Sequence, residues 1–185
     1  MWGASLPQRR RHDGVNKRRG DEPSARTIQL LVSYAIRYPE IATVRYDPGR
    51  QALRLSFLVK GPLTDGEFAA AAARIRETLE VYHLMNQREA DLVEVRRTAF
   101  GELNTIAVER DVHSLSPEEL YTVVAVVRSL FQQRLLTEPM EYFGEEELMA
   151  QDELIEEVMA SLSNQRQQPN LIAIRENGRL MIFHK

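Results

Sequence analysis

The chain has no cysteine and no apolar run as long as a membrane-spanning helix. The absence of cysteine excludes disulfides, thiol catalysis and cysteine-ligated metal sites. A bilayer crossing needs roughly 20 consecutive apolar residues, and every apolar run in this chain is much shorter. The arginines near the start are not followed by an apolar stretch, so we expect no secretory signal. These absences favour a soluble cytoplasmic protein with no membrane partner.

The common motifs of catalysis and cofactor binding are missing as well. None of His12, His83, His113 and His184 has a second histidine three or four residues away, so the sequence shows no zinc or iron pattern. It also contains no GxGxxG or GxxxxGKS/T phosphate loop and no GxSxG nucleophile elbow. We therefore predict no catalytic, cofactor-binding or metal-binding residues and no cofactor.

Charge is distributed unevenly along the chain. The net charge of all 185 residues is only −3. Residues 1–26 nevertheless carry a net charge of +4, whereas residues 138–165 carry −9 and contain no lysine or arginine. Such a contrast between two ends of a chain is typical of charged tails and interaction segments.

Residues 1–24 are predicted to form a disordered basic tail. They contain almost no apolar residue besides Trp2 and Leu6, which is too few to offset the entropy cost of ordering. The alternative to a functional tail is one that only aids solubility. As a functional tail, it offers six candidates for contact with nucleic-acid phosphates: Arg9, Arg10, Arg11, Lys17, Arg18 and Arg19.

Residues 25–136 are predicted to form an α+β core in the order helix, hairpin, helix, hairpin, buried helix. The first helix ends before Pro39, because the residue that precedes a proline disfavours helical geometry. Strands 41–46 and 51–60 follow. The proline and glycine of the connecting Asp47-Pro48-Gly49-Arg50 predict a type II turn, and hence the first hairpin.

A second helix and a second hairpin complete the next part of the core. Thr64 and Glu67 are spaced as a capping box, which predicts a helix that begins there and runs to about Asn86. Alternating apolar residues then predict strands 91–98 and 104–111, which form the second hairpin.

The last core element is predicted over Ser116–Leu136. Ser116 and Glu119 are spaced as another capping box, and apolar residues cover almost the whole circumference of the helix. The β-branched run at 122–127 also suits a strand, but the cap and the length of the segment favour a helix. We therefore predict a buried helix.

Residues 137–185 are predicted to form an acidic helix and a C-terminal hairpin, packed on the core or on a second subunit. The helix spans Gly144–Asn164 and has one apolar face. The hairpin joins strands 171–174 and 180–183 through Asn177-Gly178, a pair typical of a type I′ turn. The acidic residues of the helix are candidates for binding a partner: Glu145, Glu146, Glu147, Asp152, Glu153, Glu156 and Glu157.

These elements together predict an α+β two-layer sandwich. Its antiparallel sheet is built from two or more hairpins, and two long helices pack on one face. The order helix–strand–strand–helix over 25–86 also occurs in small RNA-binding domains of the KH and ribosome-maturation types, although the GXXG loop and the stacking aromatics on the exposed face are lacking. The solvent face of the sheet carries four further candidates for nucleic-acid contact: Arg45, Arg54, Lys60 and Arg96.

Three hypotheses for function follow. The first is a non-catalytic binding or regulatory module that acts through protein–protein contacts, with an unknown partner or as a homo-oligomer. The second is an RNA-binding or ribosome-associated factor that uses the basic tail and the sheet arginines. The third is an enzyme of unfamiliar type. A deep pocket that holds His83 or His113 beside carboxylates would favour the enzyme, and a continuous basic face would favour RNA.

Overall fold

The computed structural model describes residues 25–138, 144–162 and 169–184. The six tail residues proposed for nucleic-acid contact lie outside these ranges. The described helices are α1 (Ala25–Arg37), α2 (Asp65–Met85), α3 (Pro117–Phe131) and α4 (Glu145–Leu162). The described strands are β1 (Ile41–Asp47), β2 (Ala52–Lys60), β3 (Val93–Phe100), β4 (Leu103–Asp111), β5 (Leu171–Glu176) and β6 (Arg179–His184).

All six strands belong to one antiparallel sheet in the order β3-β4-β2-β1-β5-β6. The α+β class predicted from the sequence is therefore confirmed. Two of the strand pairings, β2 with β4 and β1 with β5, join segments that are far apart in the sequence. Within the described parts of the chain, no helix is both long and apolar enough to cross a bilayer.

The sheet presents two faces, which follow from the alternation of side chains along each strand. We call one the core face, because its apolar side chains join those of the helices in the hydrophobic core. The opposite face, which we call the open face, contributes no side chain to this core cluster. The buried apolar residues of the core face are Val44, Tyr46, Leu53, Leu55, Phe57, Val59, Val95, Ile106, Val108, Leu171 and Ala173.

The turn of the first hairpin differs from the prediction. A type II turn requires a positive φ at Gly49, but in this loop the positive φ of 50° falls on Gln51. The Asp47 carboxylate accepts hydrogen bonds from the backbone N–H groups of Gly49 (3.0 Å) and Arg50 (3.1 Å). Because Asp47 pairs with Ala52, the loop holds four residues, and such loops are usually built on a type I turn.

Two other local predictions are confirmed. Thr64 accepts a hydrogen bond from the N–H of Glu67, whose carboxylate returns to the N–H of Thr64, so α2 begins with a complete capping box. Asn177 and Gly178 have φ values of 53° and 71°, which is the pair of left-handed conformations that a type I′ turn requires.

Helix α3 is shorter than predicted and has a different cap. It ends at Phe131 rather than Leu136, and Gln132 takes a positive φ of 45° that stops the helix. Ser116 accepts a hydrogen bond from the Glu119 N–H as predicted, but the Glu119 carboxylate does not return to the cap. It turns inward to Arg110 instead, so the predicted capping box is only half formed.

Helix α4 lies against α1. Its Ile155 and Val158 are each only 1% exposed, and the Tyr34 hydroxyl of α1 donates to the Met159 sulfur. Strand β5 follows and pairs with β1 from Thr43↔Ile174 to Tyr46↔Leu171. The acidic helix and the terminal hairpin are thus joined to the first helix and first strand of the described chain.

Candidate functional site

The open face is organised in two neighbouring rows that cross all six strands. In strand order, the first row consists of Glu94, Glu109, Arg54, Arg45, Ile172 and Phe183. The second row consists of Arg96, Ala107, Ser56, Thr43, Ile174 and Met181. Over β3, β4, β2 and β1 the first row is therefore charged and the second row mixes Arg96 with small or polar side chains, whereas both rows are apolar over β5 and β6.

Glu109 neutralises much of the basic character that was predicted for this face. It is 3% exposed, and its Oε2 accepts a hydrogen bond of 2.7 Å from Arg54 Nε. Its other oxygen accepts from Arg50. The carboxylate is thus covered by two guanidinium groups, and the charge of Arg54 is balanced by Glu109 within the protein.

The four predicted phosphate-contacting residues of the sheet all lie on the open face, but they differ in their partners. Arg96 forms an ion pair with Glu94, as Arg54 does with Glu109. Arg45 and Lys60 are exposed and have no carboxylate partner among the described residues. The face is therefore a mixed surface with two unpaired cations rather than a continuous basic one.

An apolar quartet occupies the end of the open face formed by the terminal hairpin. It consists of Ile172 and Ile174 of β5 and Met181 and Phe183 of β6. The Phe183 side chain is 48% exposed and the other three are partly exposed. Arg45 of β1 pairs with Ile172, so the unpaired guanidinium borders the quartet directly.

The acidic residues of α4 have mixed roles. Asp152 accepts a hydrogen bond of 2.8 Å from Arg37, and Glu157 lies 3.7 Å from Arg26, so both are paired with α1. Glu147 accepts from the N–H of Gly144 at the start of its own helix. The remaining predicted partner-binding residues, Glu145, Glu146, Glu153 and Glu156, are exposed.

A buried ionic cluster lies where β4 meets α2 and α3. Arg110 is 1% exposed, Glu119 is 0% exposed and Asp111 is 4% exposed. All five N–H donors of the guanidinium are occupied, by both Glu119 oxygens and by Asp111, the Leu92 carbonyl and Ser114. Complete satisfaction of this kind is what makes a buried charge tolerable.

His83 belongs to the same cluster. Its Nε2 lies 3.0 Å from Glu119 Oε2 and 3.3 Å from Arg110 Nη2. Because the Arg110 hydrogens are already committed, the network assigns a proton to Nε2 that is donated to Glu119. His83 is therefore a buried, hydrogen-bonded histidine.

The concavity beside His83 has a volume of about 690 Å³. It holds an imidazole and two carboxylates, but none of its lining side chains is a hydroxyl or thiol nucleophile. The Glu119 carboxylate that contacts His83 is closed to solvent. The lining residues are Arg76, Glu80, His83, Leu84, Gln87, Arg88, Glu89, Ala90 and Val93.

A second concavity, of about 570 Å³, holds His113 beside Ser114, Ser116 and Glu156. Its two hydroxyl groups are already engaged in local structure. Ser114 donates to Asp111 at 2.6 Å, and the Ser116 oxygen accepts from the Glu119 N–H and lies 2.8 Å from the Tyr82 hydroxyl. Asp111, the carboxylate that accepts from Ser114, also accepts from Arg110 and from the N–H groups of Leu92 and Ser114, so it holds local structure together and the arrangement does not resemble an activated nucleophile.

Arg110 and Glu119 were missed as a pair in the sequence, although one signal pointed to them. Ile106, Val108 and Arg110 alternate along β4, so Arg110 must share the core face with the two apolar residues. A cation at a core position requires a buried carboxylate. Glu119 is the acidic residue of the following helix that lies on its apolar stripe.

Protonation of Asp111 should make the cluster sensitive to acid. Burial raises the pKa of Asp111, but hydrogen bonds from Ser114 and Leu92 and the charge of Arg110 outweigh it, so the pKa lies below its usual value. A carboxyl group whose pKa is lowered by folding adds to the free energy of unfolding above about pH 4. This contribution is lost as the pH falls through the folded-state pKa.

We therefore expect Asp111→Asn to flatten the loss of stability below about pH 4, as measured by urea melts at a series of pH values. The matched control is Asp91→Asn, because Asp91 is an exposed loop residue. If the free energy of unfolding of Asp111→Asn falls with acid as steeply as that of the wild type, protonation of this carboxylate is not linked to folding.

Over residues 25–138, 144–162 and 169–184, no three histidine, aspartate or glutamate side chains are grouped so that they could hold a metal ion. Comparison of the chain with protein-family models, with curated proteins and with solved structures found no match.

Proposed function

We propose that the protein is a non-catalytic binding module that acts through protein–protein contacts, and that its binding surface is the apolar end of the open face. In this proposal the chain is a two-layer sandwich, with helices against the core face and the open face left for a partner. The observation that carries the proposal is the apolar quartet with Arg45 beside it.

The quartet is unusual for a solvent face. Along the strands of an antiparallel sheet, apolar side chains on the core face normally alternate with polar side chains on the solvent face. Polar side chains are therefore expected at all four positions. Here four large apolar side chains occupy adjacent positions on two neighbouring strands. Contiguous apolar patches of this kind mark interaction sites more often than isolated apolar residues do.

Charge indicates the chemistry of the partner. Arg45 borders the quartet on the β1 side, and the exposed Arg179 lies on the same face next to Met181 in β6. A partner segment that presents large apolar side chains flanked by carboxylates would bury the quartet and pair with these cations. Complementary charges of this kind select the partner more than they raise affinity.

A pair of synthetic peptides tests this proposal. One alternates leucine with glutamate, the other alternates leucine with lysine, and fluorescence anisotropy measures the affinity of each. We expect the acidic peptide to bind more tightly. Phe183→Ser should weaken that binding about tenfold, because burying a large apolar side chain is worth about 1.5 kcal/mol or more.

Arg45→Glu should reverse the preference, so that the lysine peptide binds better than the glutamate peptide. Tyr121→Ser is the matched control, since Tyr121 is 58% exposed but lies on α3, away from the open face. Binding that responds equally to Tyr121→Ser and Phe183→Ser, or that keeps its preference in Arg45→Glu, would refute the proposed surface.

The RNA-binding hypothesis has narrower support. Of the four sheet residues proposed for phosphate contact, only Arg45 and Lys60 keep an uncompensated charge among the described residues. If RNA is the ligand, binding should weaken steeply with salt, and Arg45→Ser with Lys60→Ser should reduce the salt dependence. The affinity for a structured RNA, measured in the same anisotropy assay, distinguishes an RNA-binding surface from a peptide-binding one.

A further inference from the structure

The outer face of α2 carries large apolar residues at one end and small residues at the other. Three large apolar residues near its C-terminus are exposed, namely Val81 (55%), Leu84 (79%) and Met85 (78%). The inner face of the same helix packs in the core through residues such as Ile75 and Leu79. A helix that is apolar on both sides has a second face to bury.

Toward the N-terminus of α2, the side chains on the same outer face are small. Ala70 and Ala73 are exposed, and an atom added at the Cα of Gly66 would meet nothing within 4 Å. Between the small and the large ends lies Glu77, whose carboxylate is 3.9 Å from Arg74 on the same helix. At 3.6 residues per turn, Ala70, Ala73, Glu77, Val81 and Leu84 form one stripe along the outer face.

We propose that this stripe binds a second copy of the chain, as an antiparallel α2–α2 pair about a two-fold axis near Glu77. An antiparallel pair centred there places Val81 opposite Ala73 and Leu84 opposite Ala70 of the other copy, since both pairs are equidistant from residue 77. Each large side chain then meets a small one, which lets the helices approach closely. A two-fold interface must be complementary to itself: the large and small ends of this stripe match, and the two Glu77 carboxylates that meet at the axis are each balanced by the neighbouring Arg74.

Charge supports the antiparallel direction. Arg76 and Glu80 are both exposed on the same flank of the stripe. In an antiparallel two-fold pair, a flank meets the same flank of the other copy, so Arg76 of each copy lies beside Glu80 of the other. A parallel pair would place Leu84 against Leu84 and leave the alanine end facing another alanine end across a gap.

The absence of cysteine provides a direct test. Helices packed 8–10 Å apart bring facing Cα atoms within about 3–6 Å, which overlaps the range that a disulfide spans. Glu77→Cys should therefore form a disulfide-linked dimer under mild oxidation and lose it on reduction. The matched control is Tyr121→Cys, an exposed position on α3 that should remain monomeric on a non-reducing gel.

Sedimentation equilibrium of the full chain provides the second test. We expect the wild type to form a dimer, Leu84→Glu to weaken it at least tenfold, and Arg76→Glu to weaken it in a way that the added change Glu80→Arg reverses. A monomeric wild type, or a dimer insensitive to Leu84→Glu, would overturn the proposal. The peptide-binding surface is separate, so Leu84→Glu should leave peptide affinity unchanged whichever way this result falls.

Discussion

Glu119→Ala should be among the most destabilising single substitutions in the chain, at about 3–5 kcal/mol in urea or guanidinium melts. The change leaves Arg110 buried at 1% exposure without its main carboxylate partner, and it removes the acceptor of His83 as well. Two guanidinium N–H groups would then have no acceptor in a region closed to water. The cost comes from the unpaired charge that remains rather than from the pair that is lost.

Two further variants distinguish this explanation from a helix-capping role. A capping box accepts glutamine as readily as glutamate, so Glu119→Gln would be nearly silent if Glu119 only capped α3. In the ionic cluster, Glu119→Gln removes the charge that balances Arg110 and should be clearly destabilising. Glu118→Ala is the matched control, because Glu118 is exposed in the same helical turn and should cost only a few tenths of a kcal/mol.

The double variant Arg110→Met with Glu119→Leu should be closer to the wild type than Glu119→Ala alone. Apolar residues of similar volume can replace a buried ion pair at little net cost, because both desolvation penalties disappear together. A Glu119→Ala protein no less stable than Glu118→Ala would show that Arg110 finds water or another acceptor.

Local patterns predicted the elements of the fold well, because their causes are local. The capping box at Thr64 depends on residues three positions apart, and the type I′ turn depends on the adjacent pair Asn177-Gly178. The first hairpin loop was assigned the wrong turn because the side chain of Asp47, not Pro48 and Gly49 alone, sets its geometry. Its existence as a hairpin was nevertheless correct.

What local patterns do not contain is the order of the strands and the partners of charged side chains. The pairing of β2 with β4 places Glu109 beside Arg54, which converts a residue predicted to contact phosphate into half of an ion pair. The pairing of β1 with β5 places Ile172 beside Arg45, which creates the apolar and basic boundary of the proposed site. Neither neighbour is near in sequence, so neither could be read from spacing.

Ile155→Ala should cost about 2–5 kcal/mol, the range for deleting a large aliphatic side chain from a packed core. Ile155 is 1% exposed in α4, which lies against α1. Strand β5, next along the chain, pairs with β1, so the C-terminal elements are bound to the first described ones through both a helix contact and the sheet. We therefore expect one cooperative unfolding transition, shifted as a whole by the substitution.

Met149→Ala is the matched control for this prediction, because Met149 lies on the same helix but is 64% exposed and should change stability by no more than about 0.5 kcal/mol. Two separate transitions in the melt, with Ile155→Ala moving only one of them, would show instead that the C-terminal elements unfold as an independent unit. Ile155 and Val158 of α4 belong to the hydrophobic core, whereas the exposed glutamates of the same helix do not. Substitution of the exposed Glu145, Glu146, Glu153 and Glu156 by glutamine tests the acidic surface without disturbing that core.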